Sequence, residues 1–129
     1  MDGDGLTRAS EVDAQSDARV LPRITSAMVR IYKEQFGRGP ENARSYYAGP
    51  DVIICILADS LTPVERSMRD MGEHQRLRDI RMMFQYAAEE KFRGAVEEVT
   101  ERPVVSFMSA VDVDRDLASE IFVLGPRGA

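Results

Sequence analysis

The chain has 129 residues, of which 43% are apolar, and a formal net charge of −5. That length suits one domain with a core large enough to need no disulfide or metal staple. One cysteine excludes an internal disulfide, and a mildly acidic, mixed-charge surface argues against nucleic acid or anionic lipid as a partner.

With no Trp and only 7% aromatic residues, the core must rest on Val, Ile, Leu and the seven Met. The longest apolar run, Val52 to Leu57, is far shorter than the ~20 residues a membrane-spanning helix needs, so no direct membrane insertion is expected. Met1 to Gly5 lacks the basic and apolar regions of a signal peptide. These features, with the low cysteine content, predict a soluble cytoplasmic protein.

Residues 1–20 carry five acids against two arginines and few apolar side chains, which predicts a disordered acidic tail. The folded domain is expected over residues 21–126. Pro22 suits a first helical turn, and Ile24, Ala27, Met28, Ile31, Tyr32 and Gln35 recur at helical spacing. Gly37-Arg38-Gly39-Pro40 ends that helix. Ala43 to Ala48 and the β-branched run Val52 to Leu57, separated by Gly49-Pro50-Asp51, predict a hairpin whose second strand is central. Thr62-Pro63-Val64-Glu65 reads as a capping box with proline at the first helical position, opening a helix towards Met71.

A longer helix is expected over Glu73 to Thr100, weakened at Gly94 by about 1 kcal/mol relative to Ala. Its apolar stripe runs through Leu77, Ile80, Phe84 and Ala88, while Arg76, Arg78 and Arg81 read as part of a solvated, mixed-charge face. Two strands, Val104 to Val111 and Leu117 to Leu124, close the chain around an acidic turn. The order α-β-β-α-α-β-β predicts an α+β fold: a two-layer arrangement with a four-stranded antiparallel sheet and helices packed on one face.

Side chains for chemistry are sparse. The best candidate ligand site is the loop from Gly37 to Arg44, where Arg38 and Arg44 offer forked donors suited to phosphate or carboxylate. It is no Walker loop, because the Gly-Lys-Ser/Thr ending is missing. Asp112 to Asp116 looks superficially like a calcium loop but has Leu117 and Val123 where glycine and glutamate are required. His74 is the only histidine and Cys55 sits in an apolar run, so neither a metal centre nor a reactive thiol is expected. No cofactor and no catalytic residue is assigned.

Tyr32 to Pro40 with Ala43-Arg44, then Leu61-Thr62-Pro63-Val64-Glu65, Arg81 to Gln85, Ala95 to Thr100 and Glu120 to Leu124 together resemble the MpsC-like family over residues 22–126. The chain departs from the family pattern at Thr100-Glu101-Arg102, where members carry Thr-Gly-Arg. The resemblance implies a soluble component of a Na+-translocating, membrane-potential-generating system. Its expected partners are membrane transport subunits. Independently of the resemblance, a small module with an antiparallel sheet is expected to form a homodimer through a sheet edge or face. The leading functional expectation is therefore a non-catalytic accessory or interaction domain. The alternative is a small-molecule sensing domain that binds an anion at Arg38 and Arg44. An enzyme is the third and least supported reading.

Overall fold

The computed structural model describes residues 3–128, with side chains from residue 18 onward. Four helices and four strands follow in the order α1 (Gly3–Phe36), β1 (Asn42–Tyr47), β2 (Val52–Ala58), α2 (Pro63–Asp70), α3 (His74–Ala87), α4 (Glu89–Thr100), β3 (Val104–Asp112) and β4 (Leu117–Leu124). The strands form one open antiparallel sheet in the order β1-β2-β4-β3. Two hairpins thus meet at the central β2–β4 pair, and the helices between them cross over one face. This is the expected α+β fold.

Two boundaries differ from expectation. The first helix begins at Gly3, with Pro22 inside it rather than in its first turn. A proline carries the same local signature whether it opens a helix or interrupts one, and Ala9, Glu11, Ala14 and Gln15 upstream are compatible with helix. The expected tail, residues 1–20, has side chains that lie outside the described residues before residue 18.

The long helix expected over 73–100 is two helices, α3 and α4, and the break falls at Ala88 (φ −95°, ψ 9°) rather than at Gly94. The buried stripe explains this. Leu77, Arg81 and Gln85 on α3 and Phe92, Val96 and Thr100 on α4 are buried, four residues apart within each helix. At about 100° per residue, each four-residue step drifts by about 40°, so one straight helix would rotate this stripe off the sheet. The break at Ala88 turns it back.

The capping box forms as predicted: Glu65 N–H donates to Thr62 Oγ1, and Thr62 N–H donates to Glu65 Oε1 at 2.9 Å. In β3 the register shifts between Val104 and Ser106. This leaves Val105 pointing to solvent at 59% exposure, while Val104 and Phe107 are both buried.

The core lies between the helices and the inner sheet face. Ile53, Cys55 and Leu57 of β2 and Ala118, Phe122 and Leu124 of β4 meet Ile24, Met28 and Ile31 of α1 and Phe92 and Val96 of α4. The rings of Tyr32, Phe92, Phe107 and Phe122 follow one another at centroid separations of 6.2, 5.5 and 5.4 Å. Each fully buried Phe or Ile is worth about 1.5–3 kcal/mol relative to exposure. A second cluster, Leu61, Leu77 and Val113, closes the end of the domain next to α2.

Candidate functional site

The segment from Ala58 to Thr62 leaves the sheet and enters α2, and its backbone groups need partners outside regular structure. Arg66 from the adjoining helix, and Arg38, Arg81 and Asp116 from distant parts of the chain, supply them. Arg38 donates from Nη1 to Leu61 O at 2.7 Å and from Nη2 to Asp59 O at 2.9 Å. Arg66 Nη1 donates to Leu61 O at 2.9 Å, and Arg81 Nη2 to Ser60 O at 3.0 Å. The Asp116 carboxylate accepts from Ser60 N–H at 2.9 Å and Leu61 N–H at 3.2 Å. Asp116 itself sits at φ 52° where the β3–β4 turn closes.

The Gly37-Arg38-Gly39-Pro40 element is built to deliver Arg38 to this hub. Gly37 ends α1 at φ +81°, a left-handed conformation that favours glycine. At Gly39 a Cβ would stand 3.2 Å from Val29 Cγ1, so a side chain there would press on α1 and Val29 would have to yield by a few tenths of an ångström. Arg38 also lies 3.6 Å from Glu41 Oε1.

Arg81 is the largest fully buried side chain. Its Nε and Nη2 grip both oxygens of Glu65, Nη2 at 2.6 Å, and its guanidinium stacks 3.7 Å from the centre of the Phe36 ring. Burial alone would raise the Glu65 carboxyl, but the hydrogen bonds from Arg81 and Thr62 overcome it and hold Glu65 below the ordinary carboxylate range. The capping glutamate of α2 is therefore also the counter-ion of α3. Arg81 had been read as part of a solvated face, and the structure corrects this. Its place one turn from Leu77 and Gln85 on the inner stripe was the sequence signal.

A second buried polar group lies deeper. Glu120 is fully buried on the inner row of β4, directly opposite Cys55 on β2 and Ser109 on β3. Its Oε2 accepts from Tyr32 Oη at 2.6 Å and from Gln85 Nε2 at 2.9 Å, and Gln85 Nε2 lies 2.6 Å from Tyr32 Oη. Burial raises the Glu120 carboxyl to about 7, with the Ser109 and Tyr32 hydroxyls and the Arg81 charge pulling it part of the way back. Burial raises Tyr32 as well, reinforced by the Glu120 charge. Among the described residues, Glu120 Oε1, Gln85 Oε1 and the Ser109 hydroxyl have no partner of hydrogen-bond geometry. Of these three atoms only the Ser109 hydroxyl can donate, and a proton on Glu120 Oε1 adds a second donor. Sequence reading placed Glu120 in a strand but did not weigh it. A lone acid in the alternation Ala118, Glu120, Phe122, Leu124 was the signal.

The other sequence candidates occupy separate places. Arg44 is exposed on the outer face of the sheet, paired in register with Ile56, away from the Arg38 clamp. Cys55 is buried, 3.1 Å from Ser45 Oγ, and burial pushes its thiol up to about 12. His74 Nε2 lies 2.6 Å from Asp114 Oδ1 where α3 begins. Among the described residues no three His, Cys, Asp or Glu side chains are grouped as metal ligands. Arg102 ties three segments together, donating to Gly125 O, Pro50 O and Asp51 Oδ1 at 2.8, 2.8 and 2.6 Å.

The outer sheet face is apolar across its full width. One register row runs Tyr46, Ile54, Ile121, Met108, and Ile56 and Val123 flank it in the neighbouring rows. Tyr46 is 47% exposed, Met108 46% and Ile56 37%. An antiparallel sheet with one solvated face ordinarily alternates apolar-in with polar-out, and this one does not.

Fold and hub together define a small α+β domain in which Arg38, Glu65 and Arg81 of the signature motifs hold its own loops. The chain belongs to the MpsC family: the family model, described as Na+-translocating membrane potential-generating system (MpsC), matches residues 18–125. Searches of curated proteins and of solved structures found no match. Among the described residues no helix is long and apolar enough to cross a membrane.

Proposed function

We propose that this chain is a non-catalytic accessory component of a Na+-translocating, membrane-potential-generating system, acting by contact with membrane subunits from the cytoplasmic side. The observation that carries the proposal is the family match over residues 18–125. Two features of the site support it. The family-like motifs around Arg38, Thr62, Glu65 and Arg81 meet in one structural hub, which explains their presence without chemistry on a substrate. The exposed apolar sheet face is the kind of surface that marks a protein interaction site, as an interaction module requires.

The test is physiological. Cells lacking this chain, energised in sodium medium, are expected to hold a smaller membrane potential by a voltage-sensitive dye, restored by the wild-type chain. An unchanged sodium-dependent potential would remove the proposal's basis. Small-molecule sensing at Arg38 and Arg44 is the second reading, and the free position of Arg44 is the observation that favours it. A thermal-shift screen with nucleotides and carboxylates, repeated on Arg44→Ala, decides it. No ligand-dependent shift in the wild type counts against sensing.

A further inference from the structure

We infer that the outer sheet face is covered by a second copy of this chain, forming a two-fold dimer with sheets packed face to face and helices outside. The inference rests on the interaction-module reading above and names the occupant of its exposed surface.

Of the side chains on the outer face of the four strands, only Arg44 and Asp112 are charged, and they sit on opposite edge strands, β1 and β3. A face left to water carries charges across its centre; this one carries them only at its rims. Neighbouring strands stand about 4.8 Å apart and rise about 3.3 Å per residue, so four strands of about seven residues present roughly 450 Å² in flat projection. Side-chain relief and the projecting Val105 enlarge that area. Two copies together present roughly 900 Å² in flat projection, which this relief raises towards the lower end of stable interfaces, about 1,200 Å² in total.

Symmetry makes the face self-complementary. A two-fold axis parallel to the strands, between β2 and β4, lays β1 of one copy over β3 of the other and β2 over β4. The Tyr46–Ile54–Ile121–Met108 row then meets itself reversed, Tyr46 against Met108 and Ile54 against Ile121. Aromatic–thioether contact is favourable, and the isoleucines close a dry centre. The same axis brings Arg44 over the strand that carries Asp112, so the rim charges are opposite in sign. Sheets stacked in this way pack at about 30°, the usual aligned arrangement. A lipid surface fits less well, because the rim has no basic excess and the chain is acidic at −5.

The test is sedimentation velocity on the full chain from about 1 to about 100 μM, the range in which a weak to moderate dimer of this size is read. The wild type is expected to sediment as twice the 14.5 kDa chain at the upper concentrations. Ile54→Arg and the milder edge variant Tyr46→Asp should each weaken association by on the order of thirtyfold or more, the usual loss at an interface hot spot. Met83→Asp, at an exposed apolar position on α3, should leave it unchanged. Far-ultraviolet circular dichroism confirms that each variant is folded. A monomeric wild type at all concentrations overturns the inference, as does a dimer that survives a folded Tyr46→Asp. Either result leaves the sodium-dependent potential test standing, so the dimer and the accessory role fail separately.

Discussion

Removing the ionisable proton from the core has a calculable effect. In Glu120→Gln the amide oxygen still accepts from Tyr32 and Gln85, while the ionisable proton is gone. The wild-type carboxyl moves from 4.5 to about 7 on folding. The folded state therefore binds more protons than the unfolded state between those values, so the slope of stability against pH is negative there. The contribution of neutral Glu120 is complete below about pH 4.5 and is lost as pH rises towards 7. A shift of about 2.5 units amounts to about 3 kcal/mol. Urea unfolding of both proteins at pH 5, 6, 7 and 8 isolates this site, because the remaining groups are common. The variant should gain on the wild type steadily up to pH 7, by about 3 kcal/mol relative to the acid limit, and hold that gain at pH 8. A difference that is constant across the series would refute the buried, proton-holding assignment of Glu120.

Three further outcomes follow from the hub and its borders. Arg81→Ala leaves Glu65 facing Ser60 and Phe36 without a counter-ion. It should cost about 3–5 kcal/mol by denaturant unfolding, the usual penalty for breaking a buried pair. Glu101 occupies the left-handed region at φ 58° as the C-cap of α4, so Glu101→Gly should raise stability by about 1 kcal/mol in thermal unfolding. Arg38→Ala removes two charge-assisted hydrogen bonds to main-chain carbonyls at a 30% exposed side chain and should cost about 1–3 kcal/mol, measured in the same way.

Local signals made much of the fold legible. The Thr62-Pro63-Val64-Glu65 box, the β-branched run of β2 and the glycine–proline break after α1 each act within a few residues, and each appears where the sequence places it. The split at Ala88 was not legible, because it answers to the direction of the sheet rather than to a local breaker. The opposite error concerned charge. Arg81 was read by composition as a solvated face, yet Glu65, sixteen residues earlier, pairs with it once α2 and α3 lie side by side. Glu120 lay hidden in the same way, since its partners Tyr32 and Gln85 come from helices 88 and 35 residues away. The family resemblance marked Arg38 and Arg81, but only the folded chain shows both reaching the loop around Ser60. The two arginines named from the loop divide: Arg38 braces backbone, and Arg44 joins the rim of the outer sheet face.

The accessory role is tested most directly by what the chain holds in its own membrane. The full chain, tagged at its C-terminus, is to be recovered from membranes solubilised in a gentle detergent, and the co-purifying proteins quantified by mass spectrometry. Membrane-embedded transport subunits in reproducible ratio to the tagged chain are the predicted result. Recovery of the folded chain with no membrane subunit above the untagged control would contradict the account.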